Sequence, residues 1–385
     1  MMRAKELLGA LGVGLVGVAV GCAGFFPDKT TTTGTPGTSS GNYVYVVNQT
    51  TNTLSQFSLA SSALTPIAGS PLSLASVLAS SSASSVAVTR ANSYVYVGGQ
   101  GGIACFAIGS TGALTATAAC NLTSTGDFVS LDTSPDGKWL VGLDSVNRSI
   151  NIYGIAASTG VLSLNGTAIA YPLAMGGNSS VAQAIRVAPS GNYVGVALGT
   201  AGDVVYPFNT SAGVLSNGQQ IQFTATGTNT SDNGLAFDST GAYLYIARVI
   251  SGAGNSKIAS YSIGATGALT AIQTAVAGDA PSAVLIDSTG KYLYAANRGS
   301  GNVSGYSIAS GVLTALLGSP YSSGLGTAAL VEDNSNKYVI AAASAGSNDY
   351  TVYSFDALTA GKLDAVSVGA SGSDPAGSIA VAATH

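Results

Sequence analysis

The chain has 385 residues, of which only 8% are charged, and a formal net charge of −4. Soluble proteins ordinarily carry about 25% charged residues, so this surface has to be built from hydroxyls and amides. Thirteen Lys and Arg against seventeen Asp and Glu leave no basic stripe for phosphates, which argues against nucleic acid as a partner.

Residues 1–22 read as an export signal. Arg3 and Lys5 form a basic start, and Leu7 to Val20 is an apolar run too short for a comfortable membrane span. Ala19-Val20-Gly21-Cys22 resembles the lipobox of bacterial lipoproteins, with Ala19 where Leu is usual. The resemblance implies lipidation of Cys22, membrane attachment through that anchor, and a place in the cell envelope, at the outer membrane because no Asp follows Cys22. An ordinary cleaved signal is the alternative. Residues 23–41, rich in Thr, Gly and Ser, read as a flexible tether. Gly37 to Gly41 matches G-x-S-x-G, but it lacks the flanking strand and helix of a nucleophile elbow.

Residues 42–385 hold one unit seven times over. Its central strand begins Tyr43-Val44-Tyr45, Tyr94-Val95-Tyr96, Trp139-Leu140-Val141, Tyr193-Val194-Gly195, Tyr243-Leu244-Tyr245, Tyr292-Leu293-Tyr294 and Tyr338-Val339-Ile340. The sixth copy is the clearest. Ser282 to Asp287 predicts a strand, Ser288-Thr289-Gly290 a tight turn, and Tyr292 to Ala296 the central strand. Asn297 to Asn302 follows as a polar loop, Val303 to Ile308 as a third strand, and Val312 opens a fourth. Four short antiparallel strands make a propeller blade, which cannot bury both faces alone. The expected fold is therefore all-β, a seven-bladed β-propeller.

The first copy lacks a leading strand, while Ser378 to Ala382 resembles a leading strand with no blade to follow. It is expected to complete blade one and close the ring, leaving short protected edges. In blade two, Cys105 and Cys120 lie on segments joined by the turn Gly109 to Gly112. In an exported protein they invite a disulfide; two buried free thiols are the alternative.

Loops leading into the inner strands and loops joining second to third strands meet at one mouth of the channel. The first set carries Asp127, Gln183, Asp232, Asp279 and Asp374; the second carries Asp144, Arg148, Asp203, Arg248, Asn297 and Arg298. Arg186, near the start of an inner strand, is placed to line the channel. Of these, Arg298, Arg248, Asp279 and Asp232 are the catalytic candidates, and Arg148, Arg186, Asn297 and Arg298 the ligand-binding ones. The one histidine is His385, so the reading leaves the channel without a histidine and expects neither a metal nor a cofactor.

Asp287 to Gly299, followed by Val303 to Ile308, resembles the signature repeat of the seven-bladed propeller lactonase family, which includes 6-phosphogluconolactonase-like proteins, and is similar to the broader YVTN repeat proteins. The resemblance implies the same fold and gives Arg298 an anionic substrate. Ser300 stands where members commonly carry His. The leading expectation of function is a membrane-tethered, monomeric extracytoplasmic platform that binds a ligand or an envelope protein. The alternative is a lactonase in which Arg298, Arg248 or Arg148 holds a carboxylate or phosphate and an Asp activates water.

Overall fold

Five of the seven second strands begin on a hydrogen bond to a side chain of the turn before them. The N–H of Tyr243 donates to Asp238 Oδ1 at 2.7 Å, that of Tyr292 to Asp287 Oδ1 at 2.8 Å, and that of Tyr338 to Asp333 Oδ1 at 2.6 Å. Thr89 and Ser134 do the same with their hydroxyls for Tyr94 and Trp139, both at 3.0 Å. A side-chain acceptor at this position lets the chain reverse in a few residues.

In the computed structural model of the chain, residues 41–175, 177–221, 230–252, 254, 256–372 and 377–385 are described. The export signal, Cys22, Asp374 and nearly all of the predicted tether lie outside them. The strands form seven antiparallel blades. The inner strands are, in ring order, Ser378–Ala383, Ser85–Val88, the end of Leu122–Thr133, Ala184–Val187, Thr230–Phe237, Pro281–Ile286 and Thr327–Glu332, and each abuts the next around a closed circle. Closure is by the C-terminal strand, which pairs antiparallel with Tyr43–Asn48, Val381 opposite Val46. Among the described residues the only helical element is the single 3-10 turn Ala118–Cys120.

Second strands such as Tyr292–Asn297 are buried at every position but the first, because each is covered by a blade on either side. That explains their continuous apolar runs. Several fourth strands are split. Tyr321–Ser322 pairs with Asn302–Ala309 beyond the end of Val312–Ala315, and Leu72–Ser73 does so in blade one. In blade two the second and third strands run together as Tyr94–Ile108, which doubles back so that Ile108 N–H meets Ser93 O at 2.8 Å. A disulfide joins Cys105 and Cys120, both buried between blades two and three.

The blades are clamped by the repeat's aromatics. The first aromatic of the central strand lies against a left-handed glycine in the next blade's outer hairpin: Tyr43 on Gly112, Tyr94 on Gly160, Trp139 on Gly213, Tyr243 on Gly311 and Tyr292 on Gly361. In three of the four copies where a second tyrosine follows, its hydroxyl donates to that glycine's carbonyl, from Tyr45 to Gly112 at 3.0 Å, Tyr96 to Gly160 at 2.7 Å and Tyr294 to Gly361 at 2.6 Å. At Gly361, with φ +77°, a Cβ would stand 2.3 Å from Tyr292 Cδ1. Gly361→Ala is therefore expected to cost at least about 2 kcal/mol from backbone strain and overpacking together, and Tyr294→Phe about 1 kcal/mol for the lost hydrogen bond. Urea unfolding followed by tyrosine fluorescence measures both, and an unchanged midpoint for Gly361→Ala would contradict the clamp.

Candidate functional site

The inner strands enclose a channel of about 380 Å³. At the end where they begin, a recess of about 280 Å³ is walled by Gln49, Gln183, Asn233, Ser282 and Arg298, with Ala280, Ala328 and Ile379 as its apolar part. Arg298 owes its place to the Asn297-Arg298-Gly299-Ser300 loop. Its own N–H donates to Ala280 O at 3.0 Å and the Gly299 N–H to Asp279 O at 2.9 Å. The Asp279 N–H returns a bond to Ser300 Oγ at 2.7 Å. A side chain at Gly299 would press on Asp279 at 3.0 Å, so the glycine permits this stitching. Asn297 is buried behind the loop and donates to Asn302 Oδ1 at 2.7 Å and Ser304 Oγ at 2.9 Å. The Arg298 side chain is exposed, and among the described residues no side-chain partner holds it.

The arginines proposed from sequence do not converge. Arg248 is bound to Asp232 through two bonds of 2.8 Å, with the Tyr261 hydroxyl at 3.3 Å. Arg148 sits exposed in its own loop at φ 54°. Arg186 does line the channel, its Nη1 donating to Ile185 O at 2.7 Å and Ser130 Oγ at 3.2 Å. Asp279 stands beside the Arg298 loop, its Oδ1 accepting the Gly254 N–H at 2.8 Å. Asp144 gathers the N–H groups of Asp127, Val146 and Asn147 and so shapes a loop. The expectation of a channel without histidine needs correction. His385 lies at the far opening, its Nδ1 3.3 Å from Arg90 Nη1, because ring closure carries the C-terminal strand past that point. Neither Arg90 nor the amide wall of Gln49 and Asn233 was singled out by the sequence. Among the described residues no group of three or more His, Cys, Asp or Glu is placed to hold a metal.

Asp203 is fully buried, and among the described residues neither of its carboxyl oxygens has a hydrogen-bond partner. Burial first, and the neighbouring Asp232 charge second, push its carboxyl well above the usual carboxylate range. A carboxyl that holds its proton more readily than usual is what lets two carboxyls and one guanidinium share this place. Arg248→Ala would strand the Asp232 charge in the interior and is expected to cost about 3 kcal/mol, whereas Asp203→Asn, replacing a neutral acid by an amide, should change stability by less than about 1 kcal/mol. Equilibrium unfolding at neutral pH distinguishes them, and equal losses would show that Asp203 is ionised.

Glu332, closing the inner strand of blade seven, is raised to about 7 by burial, against the opposing bonds from the Ser288 N–H and hydroxyl. With the folded value above the ordinary one, the folded ring binds more protons, so this group's contribution to stability falls as pH rises from about 4.5 to about 7. Glu332→Gln keeps an acceptor for the Ser288 N–H. It should flatten that fall by on the order of 1 kcal/mol, allowing for solvent screening of a part-exposed group, as read from thermal unfolding between pH 5 and 8.

Comparison with known proteins supplies the wider setting. The model of the family described as lactonase, 7-bladed beta-propeller, matches residues 35–176 and 203–322. No protein of curated function matches the chain. Among solved structures, a candidate 6-phosphogluconolactonase of Bacteroides fragilis superposes with a TM-score of 0.69 at 19% identity, covering 90% of this chain and 99% of that one. A second candidate, from Bacteroides uniformis, gives 0.71 at 16% identity over 89% and 99%. The periplasmic gluconolactonase PpgL of Pseudomonas aeruginosa gives 0.67 at 14% identity over 90% and 99%. Likeness at these identities is likeness of fold.

Proposed function

The chain belongs to the seven-bladed β-propeller lactonase family, and we propose that it binds and hydrolyses the lactone of a sugar acid in the recess at Arg298. The observation that carries this reading is one exposed guanidinium, without a side-chain partner, in a recess whose other polar groups are amides and a hydroxyl. Gln49, Gln183, Asn233 and Ser282 can both give and take hydrogen bonds, which suits the hydroxyls of a sugar. A guanidinium suits the acyl oxygen as it gains charge and then, through two parallel bonds, the carboxylate of the product. The family's naming and the likeness to a periplasmic gluconolactonase support the same chemistry.

In the hydrolysis, water adds to the acyl carbon and gives up a proton. The tetrahedral oxyanion then collapses, the ring C–O bond breaks, and the departing ring oxygen takes a proton to leave the open hydroxy acid. Asp279, beside the Arg298 loop with one carboxyl oxygen occupied by Gly254, is our choice for the group that takes water's proton. We place the ring outside the cytoplasm, tethered through Cys22, where an unphosphorylated lactone is the suitable substrate.

A second reading, binding of a sugar acid or lactone without turnover, is favoured by Ser300. Its hydroxyl is occupied by the Asp279 N–H, and among the described residues the recess wall holds neither carboxylate nor imidazole. Kinetics and calorimetry with gluconolactone and gluconate separate the two. Under the first reading, Arg298→Ala should lower kcat/KM by roughly 30-fold, about 2 kcal/mol, and Asp279→Asn should abolish turnover while gluconate still binds. Gluconate binding that depends on Arg298, without turnover, establishes the second reading. Neither turnover nor binding refutes both.

A further inference from the structure

The channel's other end has a chemistry of its own. The ring contains five arginines in a chain with 8% charged residues, and three of them line this one channel: Arg298 at the near recess, Arg186 in the interior and Arg90 at the far opening. Arg186 and Arg90 share a far recess of about 170 Å³ with Asp132 and His385. Among the described residues neither arginine is in an ion pair, although Arg248, Lys138 and Lys362 all are. Asp132 is the carboxylate placed to neutralise them, but its oxygens are committed to the backbone, one to the Val187 N–H and one to the Thr133 N–H, both at 2.8 Å. Burial raises its carboxyl further, against the pull of Arg186. The His385 imidazole adds no positive charge, since burial and then the Arg90 charge hold it down at about 4, and its Nδ1 faces the Arg90 guanidinium. Arg90 stands exposed at the opening and Arg186 is half-buried below it, so two like charges face the same recess. The bonds from Arg186 Nη1 to Ile185 O and Ser130 Oγ fix its head, and among the described residues Nε and Nη2 have no partner.

We propose that this far recess is a second binding site, independent of the Arg298 recess, in which Arg90 and Arg186 together hold one small oxyanion, a free phosphate or a short carboxylate. Arg90 comes from blade two and Arg186 from blade four, so a shared anion ties two non-adjacent blades across the channel. Occupancy then stabilises the closed ring in proportion to the logarithm of anion concentration above the dissociation constant.

Inorganic phosphate is the probe, titrated against sodium chloride of equal ionic strength, with the full exported chain and calorimetry beside thermal unfolding. Wild type and Arg298→Ala are expected to bind one phosphate and to gain melting temperature with it, chloride having no such effect. Arg186→Gln and Arg90→Gln should each bind at least tenfold more weakly and lose the shift. Cooperative unfolding in phosphate-free buffer verifies that each variant is folded, and should Arg186→Gln not fold, Arg90→Gln, at the opening, carries the comparison. A shift that chloride reproduces, or phosphate binding unchanged in the folded variants, overturns the proposal. Phosphate binding lost only in Arg298→Ala would assign the anion to the other recess.

Discussion

The ring depends on the contact between an aromatic face in one blade and a left-handed glycine in the next. A blade twists, so its second strand can cover its neighbour only if the neighbour's outer hairpin turns back sharply, and a turn with φ near +70° to +80° is open chiefly to glycine. Gly112, Gly160, Gly213, Gly267, Gly311 and Gly361 all take that conformation, each with an aromatic of the preceding blade beside it. The tyrosine hydroxyl that then reaches the same turn's carbonyl satisfies two buried polar groups at once. Blade five departs from this pattern, for the buried Tyr245 hydroxyl has no partner among the described residues.

The seam between blades seven and one is built differently. The facing turn holds Ser61 and Ser62 at positive φ instead of glycine, and the central strand of blade seven reads Tyr338-Val339-Ile340, with no second tyrosine. What holds this seam is chain pairing and a polar lock. The C-terminal strand hydrogen bonds along Tyr43–Asn48, Asn42 Nδ2 donates to Asp333 Oδ2 at 2.6 Å, and Ser371 and Ser378 hydroxyls converge on Asn48 Oδ1 at 2.6 and 2.7 Å. A ring joined from its two chain ends needs a bond at the joint that the aromatic–glycine clamps of the other six seams do not supply, and the serines at positive φ fall there.

This division explains what the sequence made legible. Tyr-x-Tyr spacing, the glycines of the turns and the strand left over after Ser378 are all local patterns, and together they specify seven blades and their closure. The Asn297-Arg298-Gly299 loop was legible for the same reason, since each residue's role is settled within a few neighbours. Partner choice was not. Arg248 lies inside the strand Tyr243–Ile250, at the register of Asn297 and one position short of that of Arg298, and there the inner strand at Asp232 consumes it in a buried pair while Arg298, in the loop beyond its strand, is left exposed. Arg90 and His385 lie 295 positions apart, and nothing near either predicts that closing the ring brings them together.

The two ends of the channel differ because they are made from different kinds of connection. The near end receives loops of varied length, whose side chains are free to face a ligand, and it holds amides and Arg298. The far end receives the short turns between inner and second strands. There the carboxylates are spent on building the turns: Asp238, Asp287 and Asp333 each accept the N–H of the following tyrosine, and Asp136 is held by Ser134 Oγ and Lys138. A far end rich in acidic residues by count is thus poor in carboxylates able to meet a cation across the channel. The backbone bonds that fix Asp132 also keep it from swinging towards either arginine, so that among the described residues the carboxylate whose charge both Arg90 and Arg186 feel forms a direct ion pair with neither.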